Sequence, residues 1–353
     1  MQADGPLPGI AATTLASGEV ESRPQQATDG SAWQRALQSA IRDVDELLAA
    51  LQLSRADVPQ LDAESPFPLL VPRAFVARMQ VGNPRDPLLL QVLPLAQERE
   101  RPIGFVDDPV GDREVQTASG MLQKYAGRVL LIASGMCAVH CRYCFRRHYP
   151  YDASPKSQAA WSEAFEGITQ DASIEEVILS GGDPLSLGNG RLSQWMDQLE
   201  SIPHVQRLRW HTRFPVVLPS RIDEALCERI GRSRLSMWMV LHINHPREID
   251  SELKAAIARL KRRGVSMLNQ AVLLRGINDS LEVQRALCRE LVNAGVQPYY
   301  LHQLDPVVGA AHFQCEPQLG ETLVRGLREE LSGYAVPRFV QEIPGRQSKT
   351  LLA

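Results

Sequence analysis

The chain has 353 residues, 44% of them hydrophobic and 22% charged, with a formal net charge of -3. That is room for one barrel-sized domain with appendages, in an ordinary globular mixture whose charge names no nucleic-acid partner. No apolar run approaches the roughly 18 residues that span a membrane, and the N-terminus lacks the basic-then-apolar pattern of a secretory signal.

Residues 1–30 are rich in Ala, Gly, Ser, Thr and Gln and are expected to form a disordered tail. At 33–53 the stretch WQRALQSAIRDVDELLAALQL repeats apolar residues every three or four positions, which predicts one amphipathic helix. It opens an N-terminal helical region over 31–110, whose later part carries many prolines. From 111 to 310 short β-prone runs alternate with helical stretches. The predicted strands lie at 128–134, 175–180, 207–212, 236–243, 266–273 and 297–303. Predicted helices lie near 157–169, 191–200, 221–232, 250–263 and 280–294. This alternation predicts an α/β fold with a parallel sheet and helical crossovers. Six such units suit an open, partial (β/α)6 barrel, with its chemistry at the C-terminal ends of the strands.

Each chemically marked segment follows one of those ends. After the first strand come Cys137, Cys141 and Cys144, spaced C-x3-C-x2-C within SGMCAVHCRYCFRRHYPY. Zinc sites usually take four ligands, often as two pairs, whereas three thiolates on a [4Fe–4S] cluster leave one iron open to a ligand that is not protein. Zinc, or simply scattered buried thiols, is the alternative at this point. The other three cysteines, Cys227, Cys288 and Cys315, are scattered and read as small core side chains. Cluster thiolates call for a reducing compartment, hence a cytoplasmic setting. After the second strand comes Ser180-Gly181-Gly182-Asp183-Pro184, where glycines let backbone approach a ligand, although GGDP also fits an ordinary turn. Arg213 follows the third strand and His242 and His245 the fourth; Asn269-Gln270 is a polar pair inside the fifth.

The cysteine triplet with Tyr143 before its last member resembles the signature of the radical S-adenosylmethionine (SAM) enzymes, whose open iron binds SAM. Together with CRYCFRR, SGGDPL, NHP-E, LLRGIND, PYYLHQLD, GAAHF and SGYAVP, over about residues 90–350, the chain resembles the lysine 2,3-aminomutase family. The resemblance implies a radical SAM barrel, and three cofactors: a [4Fe–4S] cluster on Cys137, Cys141 and Cys144, SAM, and pyridoxal 5'-phosphate (PLP). It implies that Lys349, in the C-terminal segment 311–353 that closes the site, carries PLP as a Schiff base, although IPGRQSK keeps only one glycine of the family's glycine-rich run. It implies SAM contacts from Gly181, Gly182, Asp183, His242 and Gln270, with Asp183 accepting from the SAM amino group. PLP phosphate would be held by Lys124, where the family has arginine, with Tyr125, Arg128 and Arg213. Arg146 would grip the substrate carboxylate, and Asp305 and Glu342 the distal ammonium, with Glu342 standing where the family has aspartate.

Two acids favour a cationic side chain, so free L-lysine is the expected substrate and β-lysine the product. The short form resembles the branch that makes (R)-β-lysine for modification of translation elongation factor P, a link made indirectly through a separate ligase. An electron donor is required, and the residues leave its identity and any homo-oligomer open. A 2,3-aminomutase for arginine or glutamate is one alternative, and a non-catalytic iron–sulfur or zinc protein the other.

Overall fold

Parallel strands cannot be joined by tight turns, so each pairing demands a crossover long enough to hold a helix. The computed structural model describes residues 31–353 apart from 156 and 158; the tail expected at 1–30 lies outside the described residues. Its strands are β1 (Gln116–Ala118), β2 (Met121–Tyr125), β3 (Arg128–Ser134), β4 (Glu176–Gly181), β5 (Arg207–Thr212), β6 (Ser236–His242), β7 (Ser266–Val272), β8 (Gln297–His302), β9 (Arg338–Gln341) and β10 (Thr350–Leu351). They lie in one sheet in chain order, with β1 and β10 at its two ends, so the sheet is open. From β3 to β9 every pairing is parallel, while β1, β2 and β10 add antiparallel strands at the edges.

The crossovers carry helices Ser162–Gln170, Asn189–Glu200, Glu224–Gly231, Ser251–Arg262, Leu281–Asn293 and Pro317–Glu330. Six strand–helix units are present, as the sequence pattern predicts, and β9 extends them by one parallel strand. Three of these helices start at a side-chain cap. Asp223 accepts from the Leu226 amide (2.8 Å), Asp250 from that of Leu253 (2.7 Å) and Ser280 from that of Val283 (3.3 Å).

The two faces of the sheet differ. Val129, Leu131, Val177, Leu179, Leu208, Trp210, Met237, Met239 and Met267 pack with the crossover helices in the main core. On β5 these positions alternate with half-buried Arg207, Arg209 and His211. A parallel strand covered on both faces would be apolar throughout. The polar alternate face therefore lines a lumen, and parallel pairing brings every strand's C-terminal end to the same rim.

The helix predicted over 33–53 is two helices, Ala32–Gln38 and Val44–Ala50. Between them Ile41 bridges Val71 in antiparallel fashion, and Asp43 caps the second helix from an extended backbone. The apolar periodicity runs through the break because both helices pack on the same core, Trp33 meeting Phe214 edge-on at 5.6 Å.

The last helix, Pro317–Glu330, sets the position of β9. Gly320 lies against Phe339 so closely that an added Cβ would overlap the ring. Gly320→Ala should lower stability by about 1–3 kcal/mol, read as a shifted denaturation midpoint. Gly333→Ala, with nothing within 4 Å, should not.

Candidate active site

The loop after β3 is sewn to the loop after β4. Gly182 donates to the Ser134 carbonyl (2.7 Å) and Asp183 to that of Met136 (2.8 Å). A Cβ on Gly181, whose φ is +110°, would meet Ser134 O at 2.7 Å, and one on Gly182 would meet Met136 O at 2.6 Å. These glycines thus let the second loop press against the one carrying Cys137, Cys141 and Cys144. All three cysteines are free and half-buried. Burial raises the Cys137 thiol, with Cys144 beside it adding to the effect, and pushes Cys144 up to about 11, with Cys141 adding. Among the described residues no three His, Cys, Asp or Glu side chains gather as ligands of one ion. Thiolates that bind different irons of a cubane need not converge on one point, as zinc ligands must. The loop fits a cluster.

Arg213 reaches this loop and not the PLP-phosphate group that the resemblance implies. Its Nη1 donates to Cys141 Sγ (2.8 Å) and to the Tyr143 hydroxyl (2.6 Å). Its Nη2 donates to Gln91 Oε1 (2.6 Å) and Glu248 Oε2 (3.0 Å). Glu248 is wholly buried and also accepts from Asn244 and His245 amides at 3.0 Å. A buried guanidinium needs that carboxylate nearby, which ties Arg213 to the β6 end.

Asp183 also differs from its implied part. Its carboxylate accepts from Leu185 N (3.0 Å), Thr212 Oγ1 (2.7 Å), Arg213 N (2.7 Å) and Phe214 N (3.1 Å). Four internal donors fill the lone pairs that an amino group would use. Its geometry is that of a clamp between the β4 and β5 ends; burial still pushes its carboxyl up to about 6 against these bonds. His242 stacks on Tyr143 at 5.6 Å and sits opposite Gln270 on β7.

A second group forms around the C-terminal segment. Glu342, just past β9, pairs with Lys349, just before β10, and accepts from the Tyr125 hydroxyl at 2.6 Å. Lys124, at the end of β2, lies 3.7 Å from Glu342 and 3.0 Å from Asp112. Arg146 bonds Asp112 through Nε at 2.7 Å and Ser180 Oγ through Nη1 at 3.2 Å. Arg128 covers the Tyr125 ring at 4.7 Å. Burial works against the Glu342 charge, but Lys349, Tyr125 and Lys124 outweigh it and hold the carboxyl below its usual range. Asp305 is different: burial pushes its carboxyl up to about 7, with Lys349 acting the other way. His211 and His302 lie within electrostatic reach of Lys349, and burial first holds both neutral.

The structure therefore brings together Lys124, Tyr125, Arg128, Arg146, Asp305, Glu342 and Lys349, and puts Arg213, Asp183 and His242 with the cysteines. Buried Arg209 Nε, His211 Nε2 and Asp305 Oδ1 have no protein partner. Each such orphan costs about 1–3 kcal/mol unless something else bonds it. Together with an amine and three cations, these orphans fit a phosphorylated cofactor and a polar substrate in the lumen. Sequence reasoning passed over Asp112, Gln91, Glu248, His211 and His302. The quoted NHP-E contains Glu248, but a single acid in a loop gives no periodic signal.

Gly182→Ala should leave the reconstituted protein with less bound iron per chain, because the cysteine loop must shift. Gly188→Ala, with open space around it, should retain the wild-type amount; equal iron in both would contradict the packing argument.

No family model matches the chain. Among curated proteins it is similar to the L-lysine 2,3-aminomutase of Haemophilus influenzae, 44% identical over 322 residues, covering 91% of this chain and 95% of that one. The Escherichia coli K12 enzyme of the same name gives 44%, 91% and 94%, and that of Clostridium subterminale 32%, 91% and 78%. Among solved structures a radical SAM methyltransferase from Sphaerobacter thermophilus is similar over 62% of this chain and 68% of that one, at 18% identity and TM-score 0.41, a likeness on which nothing here rests. The chain belongs to the L-lysine 2,3-aminomutase family, radical SAM isomerases that move an amino group within their substrate using a [4Fe–4S] cluster, SAM and PLP.

Proposed function

We propose that this protein converts free L-lysine to (R)-β-lysine, and that the product passes to a separate ligase for modification of elongation factor P. The observation that carries the lysine reading is the pair Asp305 and Glu342, two largely buried acids within electrostatic reach of Lys349. Burying an ammonium without counter-charges is costly, and an acidic pair would repel a second carboxylate. The (R) form rests on the branch resemblance alone, which Glu342 in place of aspartate and the single glycine before Lys349 fit.

The cluster and SAM, when bound, supply radical hydrogen abstraction, and PLP supplies the aldehyde that holds the amino group while it migrates. The chain's own residues bind and orient. Cys137, Cys141 and Cys144 hold the cluster, with Arg213 beside Cys141. Gly181, Gly182 and Asp183 shape the SAM side of the rim, together with His242 and Gln270. Lys349 would carry PLP, and Lys124, Tyr125 and Arg128 would hold its phosphate. Arg146 takes the substrate carboxylate in a charge-assisted pair. A free carboxylate for Arg146 is also why free lysine, rather than a lysine within a protein, is the substrate. Glu342, which pairs with Lys349 here, would with Asp305 face the substrate's distal ammonium. The buried walls exclude water and hold the reacting atoms in place.

The test is anaerobic. Protein with reconstituted cluster is given SAM, PLP, a chemical reductant and L-lysine, and the products are resolved on a chiral column. Formation of (R)-β-lysine supports the whole reading. The (S) form overturns the branch, and SAM cleavage without β-lysine overturns the substrate, with arginine and glutamate tried next.

Two predictions accompany this. Asp305→Asn and Glu342→Gln should each raise KM for lysine roughly 10- to 100-fold, the loss of a bond to a charged group; unchanged KM in both would remove the ammonium assignment. Asp305 binds ammonium only as carboxylate, and burial raises its pKa to about 7, so that form is lost as pH falls through this value. A pH profile of kcat/KM should rise through about 7 and level off above it, and Asp305→Asn should flatten that limb.

A further inference from the structure

Asp112 lies in DDPVGDREV, a loop before β1 with no sequence signal of its own. Its side chain is 3% exposed and stands between two cations, Arg146 Nε at 2.7 Å and Lys124 Nζ at 3.0 Å. The loop is built to hold it there. The Asp108 carboxylate accepts from the amides of Asp112 and Arg113, both at 3.0 Å. Lys124 closes the ring by donating to the Val110 carbonyl at 2.7 Å. Burial works against the Asp112 charge, yet Arg146 and Lys124 outweigh it and keep the carboxyl below its usual range.

These are the two cations that the proposed function assigns to different anions. Lysine is a point charge on a flexible stem, and arginine recognises a carboxylate through a fixed planar edge. Both lose their aim if left to rotate. Both would also repel each other, since they share one acid. A carboxylate that bonds Arg146 through Nε leaves the guanidinium's outer edge for a ligand. We propose that Asp112 is a positioning residue: one buried charge that aims Arg146 at the substrate carboxylate and Lys124 at the cofactor phosphate, so that the two anion sites stand or fall together. The inference rests on the roles given to Arg146 and Lys124 above.

The sign of the effect separates positioning from simple charge balance. If Asp112 served only as a counter-ion, removing its charge would leave a more positive site and tighter anion binding. If it positions, both anions bind more weakly. Asp112→Asn keeps the shape and removes the charge. In protein with reconstituted cluster, the dissociation constant of PLP, followed by its absorbance, and KM for L-lysine should each rise about tenfold. The change in kcat should be the smaller one, iron content should match the wild type, and the variant should remain folded at the assay temperature although its melting temperature falls, since two buried cations lose their acid. Asp112→Glu should recover part of both affinities. Unchanged or tighter binding of PLP and lysine would overturn the proposal. So would weaker binding that comes with lost iron and a protein no longer folded at the assay temperature, which would make Asp112 merely structural. A wild type that binds no PLP or leaves lysine untouched would instead sink the assignments of Lys124 and Arg146 themselves.

Discussion

A charge buried at the inner face of this open barrel has to be matched by an opposite charge or by hydrogen-bond partners, because burial removes its water. That constraint shapes the site. Arg213 is buried, so it is matched by Glu248, Gln91, Tyr143 and a cysteine sulfur. Lys349 is matched by Glu342, and Arg146 and Lys124 by Asp112. Removing one member of such a pair leaves a lone buried charge, which costs far more than the pair contributes. The charges left without protein partners mark where ligands belong.

The two groups of charges are distinct but joined through one loop. Arg146 stands two residues past Cys144, and its Nη1 reaches Ser180, next to Gly181. The cysteine loop therefore carries both the cysteines proposed as cluster ligands and the residue proposed to hold the substrate carboxylate. The close packing of Gly181 and Gly182 on Ser134 and Met136 fixes that loop against β4. A shift of the loop would move cluster and substrate together.

The parallel core was plain in the sequence because β-branched and aliphatic runs recur at helix-length intervals; β3 and β5 begin and end where the pattern puts them. The outer strands were not, since β1, β2, β9 and β10 are only three, five, four and two residues long. Periodicity also failed at 33–53, where two helices bury one continuous stripe across a break. Candidate chemistry shows in the sequence where residues cluster, as in the cysteine triplet. It is hidden where a residue's contacts depend on neighbours far along the chain. Arg213 meets Glu248 and Cys141 rather than Tyr125, and three of the four donors to Asp183, on Thr212, Arg213 and Phe214, are brought to it only by folding. Asp112 was invisible for the same reason, because its partners lie 12 and 34 residues away in Lys124 and Arg146.

The central claim is that Lys349, held by Glu342 at the lumen's rim, is the residue that carries PLP. Lys124 is the other amine in the same charge group and the natural competitor. Holoenzyme reduced with borohydride would fix the cofactor to whichever amine bears it, and peptide mass spectrometry would then locate the phosphopyridoxyl group. The account predicts it on the peptide containing Lys349. Label on Lys124, or on no single lysine, would contradict it.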